Sequence, residues 1–68
     1  MKIYDDFGVK VKQLRKQAGL SQEELAELIK RDPRTIVAIE AGKRNPTLNT
    51  IYKLAKALKV SAGQLLPF

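Results

Sequence analysis

The sequence predicts an all-α fold, a compact bundle of five short helices in one domain that spans residues 1–68. Aliphatic residues recur at intervals of three and four through most of the chain, which is the period of an amphipathic helix. Residues that favour the N-terminal cap of a helix recur at Ser21, Asp32, Thr47 and Ser61. No apolar-polar alternation is long enough to predict a strand.

The first helix is predicted from about 6 to 18. Phe7, Val11 and Leu14 follow the helical period, and Gly19 supplies a C-terminal cap. Residues 1–5 show no period of their own, so we expect them to form a short flap rather than part of a helix.

The second helix has the clearest start in the chain. Ser21 can accept from the backbone of Glu24 while the Glu24 side chain reaches back, which forms a capping box. Leu25, Leu28 and Ile29 are then predicted to face the core.

The third helix is predicted from about 33 to 41, with Asp32 as its cap and Pro33 at its first position. Ile36 and Ile39 should point inward, and Gly42 should end the helix.

The last two helices are predicted to serve as scaffold. Thr47 caps the fourth, whose inward stripe comprises Leu48, Ile51, Leu54, Ala55 and Leu58. Ser61 and Gln64 form a second capping box ahead of a short fifth helix that carries Leu65 and Leu66.

Composition excludes several classes of function. The chain has neither cysteine nor histidine, so we expect no disulfide, no zinc site and no histidine acid-base chemistry. Glu23 and Glu27 lie one turn apart, but like charges at that spacing usually mark a solvated face rather than a metal or acid-base pair. We therefore expect no enzyme, no metal and no cofactor.

Charge points to a polyanionic partner. Thirteen Lys and Arg oppose seven Asp and Glu, which gives a net charge of +6. Four cations lie on the first helix, where they mark either a DNA-facing flank or a solvated face: Lys10, Lys12, Arg15 and Lys16. No apolar run resembles a signal peptide or a membrane span, so we expect a cytoplasmic protein associated with the nucleoid.

Residues 21–42 form the functional centre of the prediction. They comprise two short amphipathic helices joined by a tight corner, with a basic polar surface around the second helix. This pattern favours a helix-turn-helix that docks on double-stranded DNA.

Three spaced motifs carry a family resemblance: Gly-Leu-Ser-Gln-Glu-Glu-Leu-Ala from Gly19, Thr35-Ile36, and Ile-Glu-Ala-Gly-Lys-Arg-Asn-Pro from Ile39. The chain from about Phe7 to Leu66 resembles the Cro/cI-type (xenobiotic-response-element-like) helix-turn-helix family of bacterial and phage repressors. The resemblance implies a lambda-repressor-like five-helix bundle that binds operator DNA as a dimer. Proteins that control restriction-modification genes are the most similar in size.

The resemblance also implies roles for individual residues. Arg15 and Glu40 match a charged pair that ties the first helix to the third. Contacts to the DNA backbone are expected from Gln22, Arg31, Lys43, Arg44 and Asn45. Contacts to bases are expected from Pro33, Arg34, Thr35, Val37 and Ala38.

Two departures from the family pattern affect these expectations. Lys30 stands where the family usually has glycine, so either Lys30 is strained or the turn differs. Val37 and Ala38 replace polar base readers and cannot form bidentate hydrogen bonds. Arg34 is therefore expected to carry most of the hydrogen-bonded readout, with a contribution from DNA shape.

Two partners are considered besides DNA. We expect a homodimer through the C-terminal segment, because Leu65, Leu66 and Phe68 crowd into a small piece of the bundle. The alternative function is a protein-interaction module, such as an antitoxin or bridging factor, that grips its partner with the apolar outer face Val37-Ala38-Ala41. The sequence gives no sign of a small-molecule effector.

Overall fold

The computed structural model describes residues 1–68 and contains five α-helices and no strand, which confirms the predicted fold class. The helices are α1 (Lys2–Gln17), α2 (Gln22–Leu28), α3 (Pro33–Glu40), α4 (Leu48–Leu58) and α5 (Ala62–Leu65). None of them is long and apolar enough to cross a membrane.

The prediction that residues 1–5 lie outside the first helix is wrong, because α1 begins at Lys2. Ile3 and Tyr4 precede Phe7 by four and three residues and so continue its helical face. Asp5 lies in the first turn, where a negative charge favours the helix, and Lys2 pairs with Asp6 at 3.6 Å. The acidic residues therefore stabilise the first turns of α1 from within the helix.

The starts of α2 and α3 agree with the sequence prediction. The Ser21 hydroxyl accepts from the Glu24 backbone N–H at 3.0 Å, and Glu24 accepts from the Ser21 N–H at 2.8 Å. Asp32 caps α3, and Pro33 occupies the first turn. The start of each helix is thus fixed by local side-chain chemistry, and the Asp32 cap lies at the corner between the two helices.

The core lies where α1, α2, α3 and α4 meet and is closed by α5. Its buried side chains are Phe7, Val11, Leu25, Ala26, Ile29, Ile36, Ile39, Leu54, Ala55, Leu58 and Leu65. The inward orientation predicted for Leu28 and Leu48 is wrong, since they are 55% and 82% exposed. Each occupies a terminal position of its helix, Leu28 the last of α2 and Leu48 the first of α4, and so lies beyond the packed turns.

Leu65 is fully buried within the monomer, at 0% exposure. It closes the core from α5, so it is not available to a dimer interface, contrary to the prediction. Leu66 is half-buried and Phe68 is 83% exposed, so these two residues remain accessible.

Gly8 allows α1 to approach the end of α3 closely. A Cβ atom at this position would collide with the backbone oxygen of Ile39 and lie 2.8 Å from that of Glu40. This contact brings the middle of α1 against the last turn of α3, the region from which Glu40 projects.

Lys30 adopts the left-handed conformation, with φ of 58°, in the turn that follows α2. Of the two possibilities that the sequence left open, strain at Lys30 is therefore the one that the structure shows. A residue with a Cβ atom pays about 1 kcal/mol for this conformation, whereas glycine adopts it freely.

We expect Lys30→Gly to raise the free energy of unfolding by about 0.5–1 kcal/mol, because relief of the strain exceeds the added entropy of the unfolded chain. Lys30→Ala is the matched control, since it removes the same charge and retains the strain. Denaturant unfolding of both variants measures the effect, and equal stability of the two would contradict the strain.

Candidate nucleic-acid interface

The outer face of α3 forms an exposed surface with an apolar centre. Pro33, Arg34 and Ala41 are exposed, Val37 is 48% exposed, and Ala38 is half-buried. These residues lie on the side of α3 that faces away from Ile36 and Ile39, since both isoleucines are buried. Four of the five predicted base readers are thus brought together on one face.

Thr35 does not belong to this face. It is 8% exposed and packs inside the monomer, so its burial argues against the predicted base contact. The family resemblance placed Thr35 among the base contacts, whereas the packing of α3 turns its side chain inward beside Ile36.

Cations flank α3 at both ends. Arg31 lies in the turn before it, and Lys43 and Arg44 follow it with Asn45, all of them exposed. Arg31, Lys43 and Arg44 form no ion pair within the monomer. Their charges are therefore free to meet an anionic partner that lies along α3.

Arg34 is held by Asp32 on the surface. Its Nε donates to Asp32 Oδ1 at 3.1 Å and its Nη2 donates to Asp32 Oδ2 at 3.0 Å, while 90% of the Arg34 side chain stays exposed. Asp32 Oδ1 also accepts from the backbone N–H of Arg34 at 2.8 Å, which caps α3.

These hydrogen bonds lower the pKa of Asp32 to about 2, with the Arg34 side chain as the largest cause and its backbone N–H as the second. The same contacts raise the pKa of Arg34. Because the folded pKa of Asp32 is depressed, its contribution to stability is present at neutral pH and is lost only as the pH falls from about 4 towards about 2. The pair is thus fully ionised under physiological conditions.

A buried ion pair joins α1 to α3. Arg15 Nε donates to Glu40 Oε2 at 2.7 Å and Arg15 Nη2 donates to Glu40 Oε1 at 3.2 Å, and the two side chains are only 9% and 4% exposed. Arg15 Nη1 also donates to the backbone oxygen of Leu20, at 2.7 Å. The structure thus contains the predicted pairing and adds an anchor for the turn that precedes α2.

Gln22 joins the same network. Its Nε2 donates to Glu40 Oε1 at 3.0 Å, and its side chain is half-buried at the first position of α2. The resemblance implied a contact with the DNA backbone for Gln22, and its observed partner is Glu40. The second hydrogen of its amide has no acceptor within the monomer, so one donor remains available at the surface.

An apolar groove on α4 was not predicted. It has a volume of about 680 Å³ and is lined mainly by Leu48, Ile51, Tyr52, Ala55, Val60 and Ala62. Leu48 and Tyr52 are 82% and 59% exposed, and Lys56 lies over the Tyr52 ring at 5.4 Å. The one feature of the sequence that indicates this groove is the spacing of Leu48 and Tyr52, which lie four residues apart on the same face of α4.

The surfaces of α3 and α4 are separate. The principal packing partners of α3 are α1 and α2, whereas those of α4 are α5, α1 and α2. One outer face is flanked by cations and the other is an apolar groove. No group of three His, Cys, Asp or Glu side chains is placed to hold a metal ion.

A helix pair with a fixed corner, whose second helix is exposed and flanked by cations, defines a DNA-binding domain of the helix-turn-helix class. The family model described as helix-turn-helix matches residues 11–65. The chain therefore belongs to this family of DNA-binding transcriptional regulators, and several relatives are named as HTH-type transcriptional regulators.

Control proteins are among the similar chains. Control protein C.BamHI of Bacillus amyloliquefaciens is 43% identical over 63 residues, which cover 91% of this chain and 78% of that protein. The restriction-modification controller protein C.AhdI from Aeromonas hydrophila superposes with a TM-score of 0.94 at 38% identity, covering 97% of this chain and 100% of that one. The fold is thus matched over nearly the whole chain by a controller protein.

The same fold also occurs within a larger enzyme. Hydroxypropylphosphonic acid epoxidase from S. wedmorenis matches with a TM-score of 0.89 at 30% identity, over 96% of this chain and 35% of that one. The similarity is therefore confined to about a third of the enzyme chain.

We expect Glu40→Ala to lower the free energy of unfolding by roughly 3 kcal/mol or more, because it leaves the buried Arg15 guanidinium without its carboxylate. Thermal or denaturant unfolding measures the loss. Glu23→Ala is the exposed control and should change stability by less than about 0.5 kcal/mol.

A double variant distinguishes two causes of the stability loss in Glu40→Ala, the unpaired buried charge of Arg15 and the lost packing of the Glu40 side chain. Arg15→Met/Glu40→Leu removes both charges and should cost less than Glu40→Ala alone. A Glu40→Ala variant as stable as Glu23→Ala would show that the ion pair does not hold α3.

Proposed function

We propose that the protein is a sequence-specific transcriptional regulator that acts as a homodimer on operator DNA, with α3 of each copy in the major groove. The observation that carries this proposal is the exposed outer face of α3, with unpaired cations at both of its ends. An α-helix fits the major groove, and cations at its ends lie where the two phosphate backbones border that groove.

Base contacts are assigned to the exposed side chains of α3. Arg34 supplies the hydrogen-bond donors for guanine, since it is the one charged side chain on the outer face of α3. Pro33, Val37 and Ala38 supply apolar contacts, of the kind that suit thymine methyl groups. Thr35 is left out because it is buried.

Contacts to phosphates are assigned to residues around the helix. Arg31, Lys43, Arg44 and Asn45 are exposed and offer donors on either side of α3. Gln22 can offer the amide hydrogen that Glu40 does not use. These contacts position the protein on the duplex and carry no sequence information directly.

The dimer surface is assigned to the apolar groove on α4. Leu65 is buried and cannot contribute, whereas Leu48 and Tyr52 are exposed at the groove. Ile51 also lines a second pocket that contains Leu66 and Phe68, so the accessible part of the C-terminal segment borders the groove. The dimer surface proposed from the sequence therefore shifts towards α4.

The dimensions of the monomer fit this arrangement. The molecule measures 26 × 23 × 21 Å, and half-sites on one face of DNA lie about 34 Å apart. Two copies that meet through α4 have their centres about one molecular diameter apart. The two α3 helices then need to lie only a few Å beyond those centres to reach successive major grooves.

The relatives suggest a setting for this regulator. Because similar chains are named control proteins of restriction-modification systems, we propose that this protein controls genes of that kind and works in the cytoplasm on nucleoid DNA. No observation favours catalysis or a small-molecule effector. A protein-interaction module on α3 is less well supported, since the large apolar side chain on that face, Val37, is 48% exposed, whereas Leu48 and Tyr52 on α4 are 82% and 59% exposed.

We expect Arg34→Ala to lower affinity for the cognate site roughly tenfold to hundredfold and to relax preference at one base pair, since a bidentate base contact is lost. Lys43→Ala should weaken binding to all duplexes alike and reduce the slope of log K against log salt by about one. Fluorescence anisotropy at several salt concentrations distinguishes the two. If Arg34→Ala weakened cognate and scrambled duplexes equally, Arg34 would be a phosphate contact.

We expect Leu48→Asp to raise the dissociation constant of the dimer roughly tenfold or more, because it places a charge in the apolar groove. The folded monomer should persist, since Leu48 is 82% exposed and an acidic residue suits the first turn of a helix. Leu28→Asp is the control, an equally polar change at an exposed leucine of α2. Analytical ultracentrifugation reads the outcome, and an unchanged dimer in Leu48→Asp would exclude this surface.

A further inference from the structure

Asp32 occupies an unusual position for an acidic residue on a DNA-binding surface. It lies immediately before α3, is exposed, and is the acceptor for both the backbone and the side chain of Arg34. Its cap to the backbone fixes the carboxylate at the start of the helix. The carboxylate in turn fixes the guanidinium, so Arg34 is oriented by a group that is itself held in place.

The contact leaves one edge of the guanidinium free. A guanidinium group has five N–H donors, and Asp32 uses the one on Nε and one on Nη2. Both hydrogens of Nη1 and the second hydrogen of Nη2 have no acceptor in the monomer. The Nη1/Nη2 edge therefore still presents two parallel donors, the arrangement that matches O6 and N7 of guanine.

We infer that Asp32 is a positioning residue that makes Arg34 selective for guanine. Asp32 holds the Nε side of the guanidinium and presents the Nη1/Nη2 edge to the bases. This inference deepens the proposed function and rests on it, since it requires α3 to lie in the major groove.

Two physical effects act in the same direction. An arginine that is already oriented loses less side-chain entropy on binding a base, an advantage of about two- to tenfold in affinity. The Asp32 carboxylate also opposes phosphate contacts by Arg34, because it compensates the guanidinium charge and repels the backbone. Asp32 thus favours the cognate site and disfavours other sequences, which is how a repulsive element contributes to specificity.

Asp32→Asn tests the inference, because asparagine caps a helix as well as aspartate does but lacks the charge that orients Arg34. The ratio of affinities for the cognate duplex and for one with the guanine pair replaced should fall about two- to tenfold. Affinity for random duplex should rise about threefold, the effect of removing a unit charge roughly 7 Å from a phosphate in water. Circular dichroism melting of Asp32→Asn and Asp32→Ser, a second good cap, verifies that the fold is kept.

The same measurement in the Arg34→Ala background is the control. Without Arg34, Asp32→Asn should leave the affinity ratio unchanged and still raise affinity for random duplex. The inference would be overturned if Asp32→Asn kept the affinity ratio of the unaltered protein. It would also be overturned if Asp32→Asn lowered that ratio by the same factor in the Arg34→Ala background. Failure of the proposed function gives a different result, because the unaltered protein itself would then show no preference among duplexes. In that case the inference about Asp32 would be overturned as well.

Discussion

Arg15 reaches from α1 to the end of α3 and holds three parts of the fold through one guanidinium group. It donates to both oxygens of Glu40 and to the backbone oxygen of Leu20, and Gln22 donates to the same carboxylate from α2. Because both charged side chains are buried, each requires the other, and a shifted α3 would leave two unpaired charges. The network thus fixes the position of α3 against α1 and α2, and this effect is larger than its contribution to net stability.

Close backbone packing makes this network possible. Gly8 lets α1 approach the last turn of α3 to within a distance that a side chain would forbid. The α1–α2–α3 unit then leaves one face of α3 exposed, with Arg34 on it, and the groove on α4 is exposed as well. In the proposed function, DNA reading and dimer formation therefore use separate surfaces of a 68-residue chain.

The sequence predicted the features that depend on local chemistry. The caps at Ser21 and Asp32 follow from spacing along the chain, and the contact of Arg15 with Glu40 followed from the family resemblance. The sequence could not predict the features that depend on packing between helices: Thr35 and Leu65 turn inward, and Leu48 remains outside the core. The Asp32–Arg34 contact escaped prediction because Asp32 already had a role as a cap.

Selection of bound duplexes from a random pool tests whether the protein reads DNA as a symmetric dimer, because it examines specificity and symmetry together. We expect a two-fold symmetric consensus whose half-sites lie about one helical turn, near 34 Å, apart. We also expect one strongly preferred guanine in each half-site, opposite Arg34. A pool that shows no enrichment, or a consensus with a single half-site and no symmetry, would contradict a dimeric regulator that reads DNA with α3.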